Sequence, residues 1–171
     1  MNTKLLLAFA ATASYGLWFA AIGGKQINAD HVASLYQQYA SAFDRGDGKA
    51  VCDLFSDKVQ GRFVSTARSM PVKEVLDKAT ACTAVDDFYQ AKQRLEAAAG
   101  QELYTNIGYT IKSIVIAPDE RSARVEVLME MRVGTAQRAL VDMRSTQTDI
   151  IRRNFGRSQF VESNGSVSFY H

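Results

Sequence analysis

The sequence predicts an α+β protein: helices packed on one face of a curved antiparallel sheet, preceded by one N-terminal hydrophobic helix. Three observations support this prediction. Residues 5–22 carry no charge, helical hydrophobic periodicity dominates residues 28–99, and two-residue alternation dominates residues 103–170. Helices followed by a run of strands are typical of α+β folds. We expect residues 1–24 to be a membrane anchor or signal peptide and residues 25–171 to be a single domain.

The uncharged N-terminal run follows Lys4. As a helix, it would span about 27 Å, close to the thickness of the hydrocarbon core of a bilayer. Trp18 near its far end suits a membrane interface. The small residues Ala21 and Gly23 leave signal-peptide cleavage as the alternative. Either outcome exports the domain, to the periplasmic side of the inner membrane or to the periplasm after cleavage. The remaining alternative is a buried helix of a cytosolic domain.

The composition is ordinary for a globular protein, with 47% hydrophobic and 22% charged residues and a formal net charge of +2. That charge is too small and too dispersed for a nucleic-acid-binding protein. The only histidines are His31 and His171, and no cluster has metal-ligand spacing. We therefore expect no metal, no cofactor and no nucleic-acid partner.

The first two helices are expected to meet at residues 44–49, with the sequence DRGDGK. Asn28 or Asp30 can cap the first helix, Gly46 suits the left-handed position that ends it, and Asp47 can cap the second. The apolar face of the first helix contains residues at helical spacing: Val32, Leu35, Tyr36, Tyr39 and Phe43. The second helix is expected to carry Val51, Leu54 and Phe55 inward.

A short strand is expected at residues 60–66 and a third helix from Pro71, where proline is well tolerated. The inner stripe of that helix would be Val72, Val75, Leu76, Ala79 and Cys82. Helical sequence continues to a stop at Gly100. Because a helix of that length would be unusual in a small domain, we expect a break near residues 83–86.

The C-terminal half predicts a meander with strands at residues 109–117, 123–133 and 139–153. In the second of these, Val125, Val127, Met129, Met131 and Val133 alternate with charged residues, which indicates one covered and one solvated face. Residues 154–157 predict a turn. The Asn164-Gly165 pair is typical of a two-residue hairpin turn, so we expect two strands around it.

Cys52 and Cys82 are the two cysteines of the chain. In an oxidising compartment they would pair, and otherwise they would be small buried hydrophobic residues. The export signal favours the disulfide.

Residues 36–63, YQQYASAFDRGDGKAVCDLFSDKVQGRF, resemble the N-terminal motif of the nuclear transport factor 2-like superfamily. The matching features are Tyr39 and Phe43 on a helix, the Gly46-Asp47 corner, and the Leu-Phe-x-Asp sequence at residues 54–57. Residues 148–170 resemble its last strand pair, so the resemblance covers residues 28–170. It implies a cone in which the sheet wraps the helices around a pocket. It also implies that the helices of Cys52 and Cys82 pack together, which supports the disulfide.

The superfamily includes isomerases, cyclases, dehydratases, ligand-binding domains and secretion-system scaffolds, so the fold does not fix the function. Its ketosteroid isomerases use a tyrosine and a protonated aspartic acid as oxyanion donors and a second aspartate as base. By motif, Tyr39 and Asp149 fall at the donor positions. The base position falls at Phe63, which cannot accept a proton. The alternatives are a core tyrosine for Tyr39 and, for Asp149, a polar strand residue paired with an arginine such as Arg144 or Arg152.

The implied pocket has an apolar wall and a few polar groups, which suits a small amphipathic ligand. Its expected lining is Tyr36, Tyr39, Phe63, Val127, Met129, Met131 and Met143, with Ser145, Gln147 and Asp149 adding polar contacts. The alternative is a cone filled by its own side chains. We expect an exported, membrane-anchored domain that binds a small ligand or a protein without catalysis. The alternatives are an isomerase-, cyclase- or dehydratase-type enzyme using Tyr39 and Asp149, or a self-associating subunit of an envelope complex, with a homodimer as the expected assembly.

Overall fold

The computed structural model describes residues 24–66, 72–135 and 137–170. The helices in these ranges are α1 (Ala29–Asp44), α2 (Gly48–Asp53) and α3 (Lys78–Ala99). The strands are β1 (Phe55–Ser65), β2 (Val72–Asp77), β3 (Tyr104–Ile116), β4 (Ser122–Gly134), β5 (Ala139–Asn154) and β6 (Arg157–Tyr170). The expected N-terminal hydrophobic helix falls outside the described residues. Among the described helices, none is long and apolar enough to cross a membrane.

The strands form one curved, unclosed sheet in the order β2-β1-β6-β5-β4-β3. Strands β3 to β6 form an antiparallel meander, and β2 pairs antiparallel with β1. Strand β1 runs parallel to β6, which makes the sheet mixed at this one pairing of the described strands. The helices precede the meander and pack against the sheet, so the predicted α+β class is confirmed.

The core lies between α1 and the concave face of the sheet. Val32, Leu35 and Tyr36 of α1 pack with Val125 and Ile151 of the sheet, and all five are at most 1% exposed. The predicted alternation in β4 is confirmed, because its five inward residues are buried and its charged neighbours are exposed.

The corner between α1 and α2 is built as the sequence predicts. Asn28 caps α1: its Oδ1 accepts a hydrogen bond from the His31 backbone N–H at 2.9 Å. Gly46 has a positive φ of 71°, which a residue with a Cβ would resist. Asp47 caps α2 by accepting from the Ala50 N–H at 2.9 Å.

The predicted start of the third helix at Pro71 is wrong. Residues 72–77 form the edge strand β2, with Val72 and Val75 exposed, and Pro71 itself falls outside the described residues. Helix α3 begins only at Lys78, because Asp77 and Thr80 form a capping box with hydrogen bonds of 2.7 and 2.8 Å. The expected break at residues 83–86 is also wrong: α3 is continuous and contains neither glycine nor proline.

Two strand predictions are corrected as well. Strand β1 begins at Phe55, which is therefore a strand residue rather than part of α2. The predicted turn at Asn164-Gly165 is wrong, since β6 runs straight through it. Asn164 Oδ1 accepts from the Arg62 N–H at 2.9 Å, and a Cβ on Gly165 would lie 2.6 Å from the Thr146 carbonyl oxygen. The pair therefore permits close approach of neighbouring strands.

The predicted disulfide is confirmed. Cys52 of α2 is bonded to Cys82 of α3, with their Cα atoms 5.4 Å apart. It ties the short helix to the long one beside the cavity described next.

Candidate functional site

A cavity of about 480 Å³ lies between the helices and the concave face of the sheet. Its walls come from α1, α3 and the strands, and most of its lining is apolar. Pockets of this size with apolar walls and a few polar groups are typical small-molecule sites. The described residues therefore leave room for a ligand.

Aromatic rings form much of the wall. Phe160 lies 5.4 Å from Tyr36 and 5.5 Å from Phe55, measured between ring centroids. Phe43 lies 5.1 Å from Phe88. These edge and tilted contacts hold the rings in fixed positions and present a rigid apolar surface to the cavity.

The polar end of the cavity is organised around Asp149, which is 0% exposed. Tyr36 Oη donates to Asp149 Oδ2 at 2.5 Å, and Ser163 Oγ donates to Oδ1 at 2.5 Å. Gln147 Nε2 also donates to Oδ2, at 3.2 Å, while Ser145 Oγ donates to Gln147 Oε1 at 3.3 Å. The carboxyl is thus surrounded by three donors drawn from α1, β5 and β6.

Burial raises the pKa of Asp149 above its ordinary value, although the hydrogen bonds from Ser163, Tyr36 and Gln147 act in the opposite direction. Desolvation dominates because no described cation pairs with this carboxyl. Burial and the neighbouring Asp149 also raise the pKa of Tyr36 well above its ordinary range. Tyr36 therefore remains a neutral phenol and a hydrogen-bond donor.

Tyr39 lies one turn further along α1 and lines the same cavity. Burial raises the pKa of its hydroxyl, with Asp149 and Tyr89 adding to the effect. Among the described residues this hydroxyl has no hydrogen-bond partner, in contrast to Tyr36 and Tyr89, whose hydroxyls bond Asp149 and the Phe43 carbonyl. Tyr39 can therefore donate to a polar atom of a ligand.

The structure distributes the residues expected in the pocket as follows. Most line the cavity: Tyr36, Tyr39, Phe63, Met129, Met131, Met143, Ser145, Gln147 and Asp149. Val127 does not, because it is packed in the core under α1. The donor to Asp149 is Tyr36 rather than Tyr39. Arg144 does not pair with Asp149; it binds Glu130 at 2.6 Å on the outer face.

Several wall residues were not anticipated from the sequence. Phe160 and Ser163 both face the cavity because the pairing of β5 with β6 shifts register between Ile150 and Ile151, which breaks simple alternation. Helix α3 also contributes wall residues: Ala81, Ala84, Val85 and Phe88. They were not expected in the wall because the predicted start of that helix was wrong. The Asp77-x-x-Thr80 capping pattern is the sequence signal that marks the start of α3.

The described lining of the cavity supplies several hydrogen-bonding side chains and one carboxyl. Asp149 is the only carboxyl among its described lining residues, and Phe63, which the resemblance alone places at the base position of the isomerases, lines the cavity from β1. No group of three or more metal-ligating side chains occurs among the described residues.

Comparisons with solved structures agree on the fold. A ketosteroid isomerase-like protein from Erwinia carotovora atroseptica SCRI1043 superimposes with a TM-score of 0.53 and 17% identity, covering 85% of this chain and 99% of that one. An NTF-2-like protein from Shewanella oneidensis MR-1 gives a TM-score of 0.54 and 17% identity, covering 82% and 99%. A protein from Catenulispora acidiphila, in complex with S-DNPA, gives 0.57 and 14%, covering 81% and 91%.

No family model and no curated protein matches the sequence. The structural likenesses establish the class: this chain has the nuclear transport factor 2-like fold. At these identities they establish the fold alone.

Proposed function

We propose that the protein is an exported domain, held at the membrane by residues 5–22, that binds a small and mostly apolar molecule without transforming it. The observation that carries this proposal is the cavity of about 480 Å³ with aromatic and methionine walls and one polar end. The Catenulispora protein of the same fold is in complex with S-DNPA, which supports a binding role for this fold. The disulfide between Cys52 and Cys82 supports export, because disulfides form and persist in oxidising compartments.

The polar end supports binding more than catalysis. Asp149 already accepts hydrogen bonds from Tyr36, Ser163 and Gln147, so it has little capacity left for a substrate proton. The cavity offers no second carboxyl among its described residues to move a proton between two carbons. A ligand would be recognised by apolar contact and by one acceptor, such as a carbonyl or hydroxyl oxygen, that reaches Tyr39.

The ligand is best sought by thermal shift with separate panels of fatty acids, steroids and aromatic polyketide-like molecules. We expect at least one panel to raise the melting temperature of the full chain, because a ligand that binds only the folded state stabilises it. Ala84→Leu places a larger side chain into the cavity wall and should abolish the shift. Ala91→Leu, on the same helix but outside the wall, is the matched control and should keep it. No stabilisation by any panel would contradict the proposal.

A second candidate, an isomerase-, cyclase- or dehydratase-type activity, is favoured by one observation: Asp149 has a raised pKa and lies beside two cavity tyrosines. In such an enzyme Tyr36 or Tyr39 would donate to a substrate oxygen and Asp149 would exchange the proton. Once a ligand is identified, turnover by the wild type that Asp149→Asn abolishes without loss of binding would establish this activity. Unchanged ligand after prolonged incubation would leave the binding function.

A further inference from the structure

A second, polar cavity of about 300 Å³ lies between the start of α1 and the hairpin that joins β5 to β6. Helix α1 contributes His31 and Ser34, and the hairpin contributes Arg153, Arg157 and Ser158. We call it the hairpin pocket. It is distinct from the apolar cavity, with which its lining shares no residue.

Arg153 points to an anionic occupant. Its side chain is only partly buried, lines the hairpin pocket and forms no salt bridge within the described part of the chain; its Nε, which is enclosed by protein, also has no hydrogen-bond partner there. Arg157 lines the same pocket, is exposed, and forms no salt bridge within the described part of the chain. Two arginine side chains that line one pocket can bind the oxygens of a phosphate group through the N–H donors of their guanidinium groups.

The other side chains of the hairpin pocket add neutral donors. Burial and the nearby Arg153 lower the pKa of His31, so its ring is neutral near pH 7. His31 Nδ1 accepts from the Asn28 N–H at 3.3 Å, which leaves the ring proton on Nε2 as a donor. The carboxylate that lines the pocket, Asp53, pairs with Lys49 at 2.7 Å on the exposed surface; Lys49 and, more weakly, Arg157 hold the pKa of this carboxyl below its usual value.

The hairpin pocket lies where the hydrophobic segment joins the domain. The backbone N–H of Gly156, in the hairpin turn, donates to the Gly24 carbonyl at 2.7 Å. Gly24 follows the uncharged residues 5–22 by two positions, which an extended chain spans in about 7 Å. Phe155, at the tip of the same turn, is 63% exposed. Segments that lie on a membrane surface combine apolar side chains such as phenylalanine, which enter the interface, with arginines, which attract anionic lipids.

We propose that the hairpin pocket binds the phosphate group of an anionic phospholipid, through Arg153 and Arg157, while Phe155 contacts the interface. This inference rests on the proposed anchoring of residues 5–22 in the bilayer. The pocket would then orient the domain on the membrane surface and fix the direction in which the apolar cavity opens.

The test uses the full chain reconstituted in phosphatidylcholine vesicles with or without phosphatidylglycerol, with bromine on the acyl chains as a fluorescence quencher. Trp18 is the only tryptophan, so wild-type quenching reports insertion of residues 5–22 independently. A second protein combines Trp18→Phe with Phe155→Trp and reports the hairpin tip. We expect quenching at the tip to require phosphatidylglycerol. For each of Arg153→Gln and Arg157→Gln, the phosphatidylglycerol content that gives half-maximal quenching should rise about fivefold. Arg138→Gln, an exposed arginine at the opposite end of β5, is the matched control and should change nothing.

Arg157 is exposed, so its variant remains informative if Arg153→Gln fails to fold. Quenching of Trp18 with no quenching at the tip would overturn the lipid site and leave the anchor. Quenching at the tip without quenching of Trp18 would support the site and contradict the anchor. Thermal stabilisation by inorganic phosphate, without any effect of phosphatidylglycerol, would overturn the lipid assignment in favour of a free anion.

Discussion

At the scale of single residues, Asp149 decides how the polar end of the cavity behaves. It is enclosed by three donors and no described cation, and burial raises its pKa. The folded chain therefore binds this proton more tightly than the unfolded chain does. It follows that Asp149 favours folding at low pH and opposes it once the pH exceeds its folded-state pKa.

Asp149→Asn should therefore become relatively more stable as the pH rises. The contribution of the wild-type carboxyl is fully present below the unfolded pKa of about 3.9 and is lost as the pH rises through the higher folded value, whereas an amide does not titrate. Melting temperatures of both proteins between about pH 4 and pH 8 would measure the difference. A difference that stays constant across this range would mean that the carboxyl is not perturbed.

The choice between Tyr36 and Tyr39 could not be made from the sequence. The two lie on one face of α1, and periodicity places both toward the sheet. Tyr36 is the hydrogen-bond donor to Asp149 because of where α1 lies over the strands. The Tyr36 ring stacks on Tyr109 at 5.5 Å, and its hydroxyl reaches Asp149. That position depends on packing between elements distant in the chain, which local patterns do not encode.

At the scale of elements, the disulfide fixes α2 against α3. It closes a loop with a sequence separation of 30, which restricts the unfolded chain by roughly 3–4 kcal/mol in the entropy model. Cys52→Ser and Cys82→Ser should each lower the melting temperature by several degrees under oxidising conditions. The double variant should be no worse than either single one, because each already removes the bond. Simple addition of the two losses, or free reaction of both thiols with a maleimide in the non-reduced wild type, would contradict the bond.

The parallel contact between β1 and β6 predicts a sharp difference between two glycines. A Cβ on Gly61 would overlap the Ser163 carbonyl oxygen, so Gly61→Ala must separate the strands and should cost at least about 2 kcal/mol. A Cβ added to Gly108 in β3 would have no neighbouring atom within 4 Å, so Gly108→Ala should be neutral or slightly stabilising. Denaturant unfolding of both variants would measure this, and equal losses would contradict the β1–β6 pairing.

The elements themselves were predicted unevenly, for physical reasons. Strand β4 was clear, because one buried and one solvated face enforce alternation. The boundary between β2 and α3 was missed, because residues 72–82 also satisfy helical spacing and only the capping box at Asp77 distinguishes the two. The Asn164-Gly165 pair does not form the predicted turn, because these residues instead allow neighbouring strands to approach closely. Those strands come from distant parts of the chain, so a local pattern does not show them.

At the scale of the whole molecule, the fold was recognisable from a short motif and the order of elements. The parallel pairing of β1 with β6 and the open state of the cavity were not. Whether a cone is open or filled depends on the sum of many side-chain volumes against the separation of helices and sheet, so no single pattern determines it. The structure leaves about 480 Å³ unfilled, and the proposed binding function therefore depends on ligand occupancy of that space.

Nuclear magnetic resonance of methionine methyl groups tests most directly whether a ligand occupies the apolar cavity. The chain has five methionines, and Met129, Met131 and Met143 line the cavity. Their methyl signals can be assigned by single Met→Leu substitutions, which preserve volume. For the molecule that most stabilises the full chain, we predict saturable shifts of these three signals at one ligand per chain, abolished by Ala84→Leu and retained in Ala91→Leu. A ligand that stabilises the protein while leaving all three signals unchanged would show that it binds elsewhere and would contradict the central claim.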